Sequence, residues 1–249
     1  MRCAHLSPNT PAVDVYMFPF GNDSSPTVLR HVSYGNVSDY MAIAAGQYTV
    51  AMRAAGAPAS TAPVLSTSFW VSPGKSYTVA GVGPASGLKL QVFNDELSAP
   101  AGKTLVRVIQ ASLKEHQVTV SYGSDVLASK LAFGSSTAYT ALAPGTGTVK
   151  LEAPSGSTAL PVSLAADTVH TIVVLDGANG LKVDALTDAA GSKVLPAGGA
   201  ATGFGGMAAP VGGAHPVPWL LMIVGGSLLA LAGFAGQRRS RKVYVGAHR

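Results

Sequence analysis

A chain of 249 residues with 17 Lys plus Arg, 12 Asp plus Glu and a formal net charge of +5 has room for one large or two smaller domains. Five of the basic residues, Arg238, Arg239, Arg241, Lys242 and Arg249, lie at the carboxyl end, so the body is neutral, which argues against nucleic acid as a partner. The 29 Gly and 16 Pro, among many Val, Thr and Ser, favour strands and turns over helices, and the single cysteine, Cys3, excludes an intrachain disulfide.

In chain order, Arg2-Cys3-Ala4-His5-Leu6-Ser7 reads as a first strand, Pro8-Asn9-Thr10-Pro11 turns the chain, and Ala12-Val13-Asp14-Val15-Tyr16 alternates as a second strand. Tyr48-Thr49-Val50-Ala51-Met52 leaves a tight turn at Ala45-Gly46, and Ser76-Tyr77-Thr78-Val79-Ala80-Gly81-Val82 has the apolar continuity of a central strand. The layout then recurs. Arg2 and Val13 meet Arg107 and Val118 at one offset of 105; Tyr34-Gly35, Tyr40, Gly46 and Thr49-Val50 meet Phe133-Gly134, Tyr139, Gly145 and Thr148-Val149 at 99. Tyr77-Thr78, Gly87-Leu88-Lys89 and Asp95 meet His170-Thr171, Gly180-Leu181-Lys182 and Asp188 at 93, so two small deletions account for the steps.

Two tandem copies, residues 1–100 and 101–190, each with about seven short strands between Gly, Pro, Asn and Asp turns, predict an all-β protein. The architecture expected is two antiparallel, immunoglobulin-like β-sandwich domains. Val13, Val15, Tyr48, Val50, Tyr77, Val79, Val118, Val120, Val149 and Ile172 are then packing residues. Copy two carries Lys103-Thr104-Leu105 ahead of the residue matching Met1, and MRCAHLSPNT has neither a basic nor a long apolar region, so an upstream signal peptide, missing here, is expected.

Residues 191–216 shift to Gly, Ala and Pro, the composition of a flexible spacer. Val217–Gly236 then runs without a charge for about the 20 residues a helix needs to cross a bilayer. Trp219 suits an interfacial anchor, and Arg238, Arg239, Arg241 and Lys242 suit the cytoplasmic end, so 217–236 predicts a single transmembrane helix and 237–249 a basic cytoplasmic tail. The lipid bilayer is the first expected partner, and residues 1–216 are expected outside the membrane of a bacterial cell.

The segment His5-Leu6-Ser7-Pro8-Asn9-Thr10-Pro11-Ala12-Val13-Asp14-Val15-Tyr16 resembles the hallmark start of the bacterial family called domain of unknown function 4397. Its members begin with a strand ending His-x-Ser-Pro and continue with Pro-x-Val-Asp-Val-Tyr. Gly46-Gln47-Tyr48 and Ser76-Tyr77-Thr78-Val79 resemble that family's Gly-x-Tyr turn and Tyr-Thr-Val strand. The resemblance spans residues 2–98. Copy two departs from it, with Gln110 in place of the His and Lys114-Glu115 in place of the Pro-rich turn. The resemblance implies an exported, sandwich-like envelope module and brings no activity with it.

His5, Ser7 and Asp14, with His31, are the residues a hydrolase reading would collect. Ser7 lacks a Gly-x-Ser-x-Gly elbow, and copy two has Gln110 and Thr119 where His5 and Asp14 stand. The motif residues His5, Ser7, Pro8, Pro11, Asp14 and Tyr16 are therefore read as structural, holding a loop through side-chain bonds to backbone. No metal-ligand spacing joins the histidines, Asp176–Gly180 reads as a hairpin turn, and no cofactor is expected. Phe18, Phe20, Tyr34, Tyr40, Phe69, Trp70 and Phe93 fall in copy one, against Tyr122, Phe133 and Tyr139 in copy two. A contact for an envelope protein or a carbohydrate is expected on the first copy. The function expected is a non-enzymatic surface module for envelope structure, adhesion or partner binding. The alternatives are an envelope hydrolase or processing domain using His5 and Asp14, and a ligand-sensing ectodomain.

Overall fold

The computed structural model describes residues 1–190; the spacer, the span Val217–Gly236 with Trp219, and the tail with Arg238, Arg239, Arg241 and Lys242 lie outside the described residues. Among the described residues no helix is long and apolar enough to cross a membrane. The first copy forms β1 (Arg2–His5), β2 (Val13–Pro19), β3 (Thr27–Val32), β4 (Gly46–Ala54), β5 (Leu65–Val71), β6 (Ser76–Val82) and β7 (Lys89–Asp95). The second forms β8 (Thr104–Gln110), β9 (Gln117–Tyr122), β10 (Asp125–Ala132), β11 (Thr140–Leu142), β12 (Gly145–Ala153), β13 (Gly156–Leu164), β14 (Val169–Gly177) and β15 (Gly180–Ala189).

In the first copy the sheets β1-β6-β7 and β3-β2-β4-β5 face each other across Cys3, Val13, Val15, Met17, Val50, Met52, Tyr77 and Val79. The second copy repeats this with β11-β8-β14-β15 and β10-β9-β12-β13 around Val106, Val108, Val118, Val120, Val149, Leu151, Ile172 and Val174. Every packing residue expected from the alternation lies in or against one of these clusters. Ala178 and Asn179 join β14 to β15, the hairpin expected at Asp176–Gly180.

One expectation is corrected. The sheets are not purely antiparallel: β1 pairs with β6, and β8 with β14, in parallel. A parallel pair needs a long crossover, and four intervening strands in the first copy and five in the second supply it.

Strand burial explains the two sequence patterns. β5 alternates because its outer face meets solvent, whereas β6 is buried along nearly its whole length. Both faces of β6 are covered, since the two lobes pack back to back. Ala4, Leu6, Ala80, Val82 and Phe93 of the first meet Ile109, Ala111, Val173 and Leu175 of the second in a single cluster. The inner sheets of a four-layer stack therefore read as continuous apolar runs.

Candidate functional site

The family motif sits where β1 leaves the interface between the lobes. Backbone geometry decides its shape: Pro8 and Asn9 form the turn, with Asn9 at φ 59, a conformation Asn tolerates better than most residues. His5 is buried. Its Nδ1 accepts from the Ser7 amide at 3.4 Å, and its Nε2 lies 3.2 Å from the Pro11 carbonyl, so the fitting tautomer carries the proton on Nε2 and both ring nitrogens are used on backbone. Burial holds the imidazole below its usual pKa, opposed by the bond to Pro11. Ser7 Oγ donates to the Gly83 carbonyl at 2.5 Å and lies 2.5 Å from Thr10 Oγ1. A hydroxyl that donates to a carbonyl, while the neighbouring His5 Nδ1 is taken by the Ser7 amide, is a fastener and not an activated nucleophile.

Asp14 is spent on backbone as well. Oδ1 accepts from the His31 amide at 2.8 Å and Oδ2 from the Gly56 amide at 3.1 Å, with Arg30 Nη1 at 3.3 Å. These amide bonds, His31 first, hold the carboxyl below its usual range. They also fix His31 at φ 53, in the bulge where β2 and β3 lose register. The His31 ring points away and is largely exposed, its Nδ1 4.0 Å from Asp14. Tyr16 is buried beneath Arg53, whose guanidinium lies 4.5 Å from the ring centre while its Nε donates to the Thr61 carbonyl at 2.7 Å.

The second copy performs the same tasks with other residues. Gln110, at the place of His5, accepts from the Ser112 amide at 2.8 Å and donates to the Glu115 carbonyl at 2.8 Å. Thr119, at the place of Asp14, accepts from the amide of Lys130, which stands at φ 50 as His31 does at φ 53. Ser112, at the place of Ser7, donates to Asp176. A glutamine thus replaces the histidine, and Thr119 covers only part of the work of Asp14, since the Ser155 amide, at the place of Gly56, bonds Glu115 Oε1 at 2.9 Å instead; the second copy keeps these loop bonds without the His and the Asp. Among the described residues no group of three His, Cys, Asp or Glu is placed to hold a metal ion. The clefts of about 330 and 340 Å³ lie on the second lobe and are lined by none of the motif residues.

The sequence reading aligned Arg2 with Arg107 and Asp95 with Asp188 but did not join them. The structure does, crosswise. Arg107 Nη2 of the second lobe reaches Asp95 Oδ1 of the first at 2.5 Å, and Arg2 Nη2 of the first reaches Asp188 Oδ1 of the second at 2.8 Å. Arg2 Nε donates to Thr78, and Arg107 Nε to the matching Thr171, each at 2.9 Å. Tyr40 covers Arg2 and donates to Asp95 at 2.6 Å; Tyr139 covers Arg107 and donates to Asp188 at 3.3 Å. Burial drives both phenols up, Tyr139 to about 12. The signal available was a charged residue at a matched position on two otherwise apolar strands.

The surface left over is the outer face of β3-β2-β4-β5. Phe18, Thr49 and Ser68 lie in one cross-strand row of it, and Phe20, Gln47 and Trp70 in the next. Trp70 is 69% exposed and Phe20 59%. Thr49 Oγ1 and Ser68 Oγ are 2.8 Å apart. The other first-copy aromatics are used internally: Phe93 is buried between the lobes, Tyr34 packs there and accepts from the Asp176 amide at 2.6 Å, and Phe69 packs on the first core.

Comparison with known proteins fits the repeat. No curated protein matches the chain. Two solved structures are similar, each described as a candidate cell adhesion protein. One, from Bacteroides uniformis, is 9% identical, with 73% of this chain and 92% of that chain covered and a TM-score of 0.24. The other, from Bacteroides fragilis, is 8% identical, with 71% and 83% covered and a TM-score of 0.21. The family described as Domain of unknown function (DUF4397) matches twice, over residues 1–121 and 104–204, so the match reaches the second copy despite its Gln110 and Thr119. With most of its length matched, the chain belongs to the DUF4397 family.

Proposed function

We propose that this protein is a non-enzymatic surface module, a two-lobed body held outside a bacterial membrane by the helix Val217–Gly236 and oriented by Arg238, Arg239, Arg241 and Lys242. The observation that carries the non-enzymatic reading is that His5, Ser7 and Asp14 are each engaged by backbone or turn partners, and that the second copy meets the same needs with Gln110, Ser112, Thr119 and Glu115. Chemistry does not survive such exchanges; loop fastening does. Binding is assigned to the outer sheet of the first lobe, where the large exposed aromatics stand.

The test uses the full chain in right-side-out membrane vesicles. Added protease removes residues 1–190 and leaves the basic tail protected, and no panel of esters, amides or glycosides is turned over. Protection of the lobes until the vesicles are opened defeats the topology. Saturable hydrolysis lost on His5→Ala defeats the non-enzymatic reading.

A further inference from the structure

The rows Phe18-Thr49-Ser68 and Phe20-Gln47-Trp70 have a chemistry of their own, and from it we infer that this face binds a neutral polysaccharide. The inference rests on the binding-face reading above and names its ligand.

A pyranose ring presents an apolar C–H face and a rim of hydroxyls. A matching surface needs flat aromatic rings for the first and short neutral hydrogen-bonding groups for the second. Both occur here in adjacent rows. Trp70 and Phe20 flank Gln47, and the Thr49–Ser68 hydroxyl pair lies one row along, beside Phe18. Strands sit about 4.8 Å apart, so Phe20 and Trp70, on either side of β4, are spaced by roughly two strand widths across an open sheet. That suits an extended chain lying over the surface better than a compact group entering a pocket.

Charge selects the polymer. None of the six residues is ionisable, Arg53 farther along β4 is engaged by Tyr16 and the Thr61 carbonyl, and the turn after Phe20 carries Asp23, which disfavours an acidic chain. A protein hot spot would gather its aromatics around one desolvated centre. Here they are set apart with polar groups between them.

The duplication supplies the control. The corresponding outer pairs of the second lobe are Thr148–Pro161 and Thr146–Ser163, with Gly123 at the place of Phe18; the chain turns there into β10, whose Asp125 pairs with Tyr122 as Thr27 pairs with Met17, so Phe20 has no counterpart. The fold therefore forms without the aromatics. Trp70, exposed on the edge strand β5, contributes nothing the second lobe lacks in packing.

The experiment is affinity electrophoresis of the detergent-solubilised full chain through gels containing mannan, galactomannan, a soluble β-glucan or dextran. Tryptophan emission is followed in a Trp219→Phe background, which leaves Trp70 as the sole tryptophan. At least one polysaccharide is expected to retard the chain and shift Trp70 emission to the blue. Trp70→Ala should weaken retention by at least about thirtyfold, as for a binding hot spot. Thr49→Val should weaken it less, and Val126→Ala on the second lobe should leave it unchanged. Absence of retardation in all four gels, or retardation untouched by Trp70→Ala, overturns the polysaccharide assignment. Binding of chain-bearing proteoliposomes to purified bacterial envelopes separates the two readings. If no gel retards the chain and envelope binding is still lost on Trp70→Ala, the face stands and only its ligand is wrong. Envelope binding indifferent to Trp70→Ala overturns the face as well.

Discussion

Arg107 and Asp95 belong to different copies of the repeat, yet they meet at 2.5 Å in the buried seam between the lobes. Their counterparts Arg2 and Asp188 make the reverse contact at 2.8 Å. Each copy gives its arginine to the other and receives an arginine in return, the self-complementary pattern of a two-fold dimer interface written into one chain. Charges so buried gain little net stability over apolar replacements, but a lone survivor is costly. The seam therefore rewards correct pairing of the lobes more than it deepens their stability.

Removing one partner should be worse than removing both. Arg107→Ala is expected to lower unfolding free energy by about 3–5 kcal/mol, the usual cost of an uncompensated buried charge. Asp95→Ala in the same chain should restore part of it. Urea denaturation of the four members of the cycle measures the coupling. The Arg2–Asp188 cycle should couple more weakly, because Arg2 Nη2 and Asp188 Oδ1 are close but misaligned for a hydrogen bond.

His5 makes a pH-dependent prediction whose sign follows from burial. Its folded pKa lies below the ordinary value of about 6.5, so as pH falls past that value the unfolded chain takes up a proton that the native chain refuses. Its contribution is complete above pH about 6.5 and declines on acidification towards the folded pKa. His5→Gln copies the solution found at Gln110, keeps both backbone bonds and should flatten that decline while leaving stability at pH 8 within about 1 kcal/mol. A residual slope remains from His170, lowered by burial in the same direction. Thermal melts from pH 8 to 5 read both effects.

Cys3 is buried in the first core, and burial pushes its thiol up to about 12. Thiolate is the reactive form, so maleimide or disulfide reagents should leave native protein unlabelled at pH 7.5 and label it on denaturation. Rapid native labelling would show the first sandwich opening well below its global stability.

The fold was legible because period-two alternation and matched Gly turns repeat through both copies. Val13, Val15, Val118 and Val120 fall in the cores the alternation assigned. That His5 and Asp14 give way to Gln110 and Thr119 in the second copy was legible as well, from the offset of 105 alone. The parallel pairing of β1 with β6 was not, because alternation records which face is buried and says nothing of a neighbour's direction. Nor was the crosswise ion pair: Arg2 and Asp188 stand at opposite ends of the described chain, and only the packing of lobe on lobe brings them together. Of the seven first-copy aromatics that the sequence singles out, only Phe20 and Trp70 are strongly exposed, because the seam and the core take most of the others.

Gly83 tests whether the motif is a fastening. It stands at φ +102, where a side chain is strained, and an added Cβ would lie 2.6 Å from the carbonyl oxygen of Gly87, a backbone atom with no rotamer to escape by. Its own carbonyl accepts the Ser7 hydroxyl, so displacement of this backbone also loosens the Ser7-Pro8 turn. Gly83→Ala should therefore cost at least about 1–3 kcal/mol, the range for a residue forced into a sparsely populated conformation. Ser7→Ala, which removes the donor but leaves the backbone alone, should cost about 1 kcal/mol. In the double variant the two losses should fall short of their sum, because the bond broken by one is already broken by the other. Denaturant midpoints for the four chains decide it: strict additivity would mean that Ser7 and Gly83 stabilise the first lobe independently.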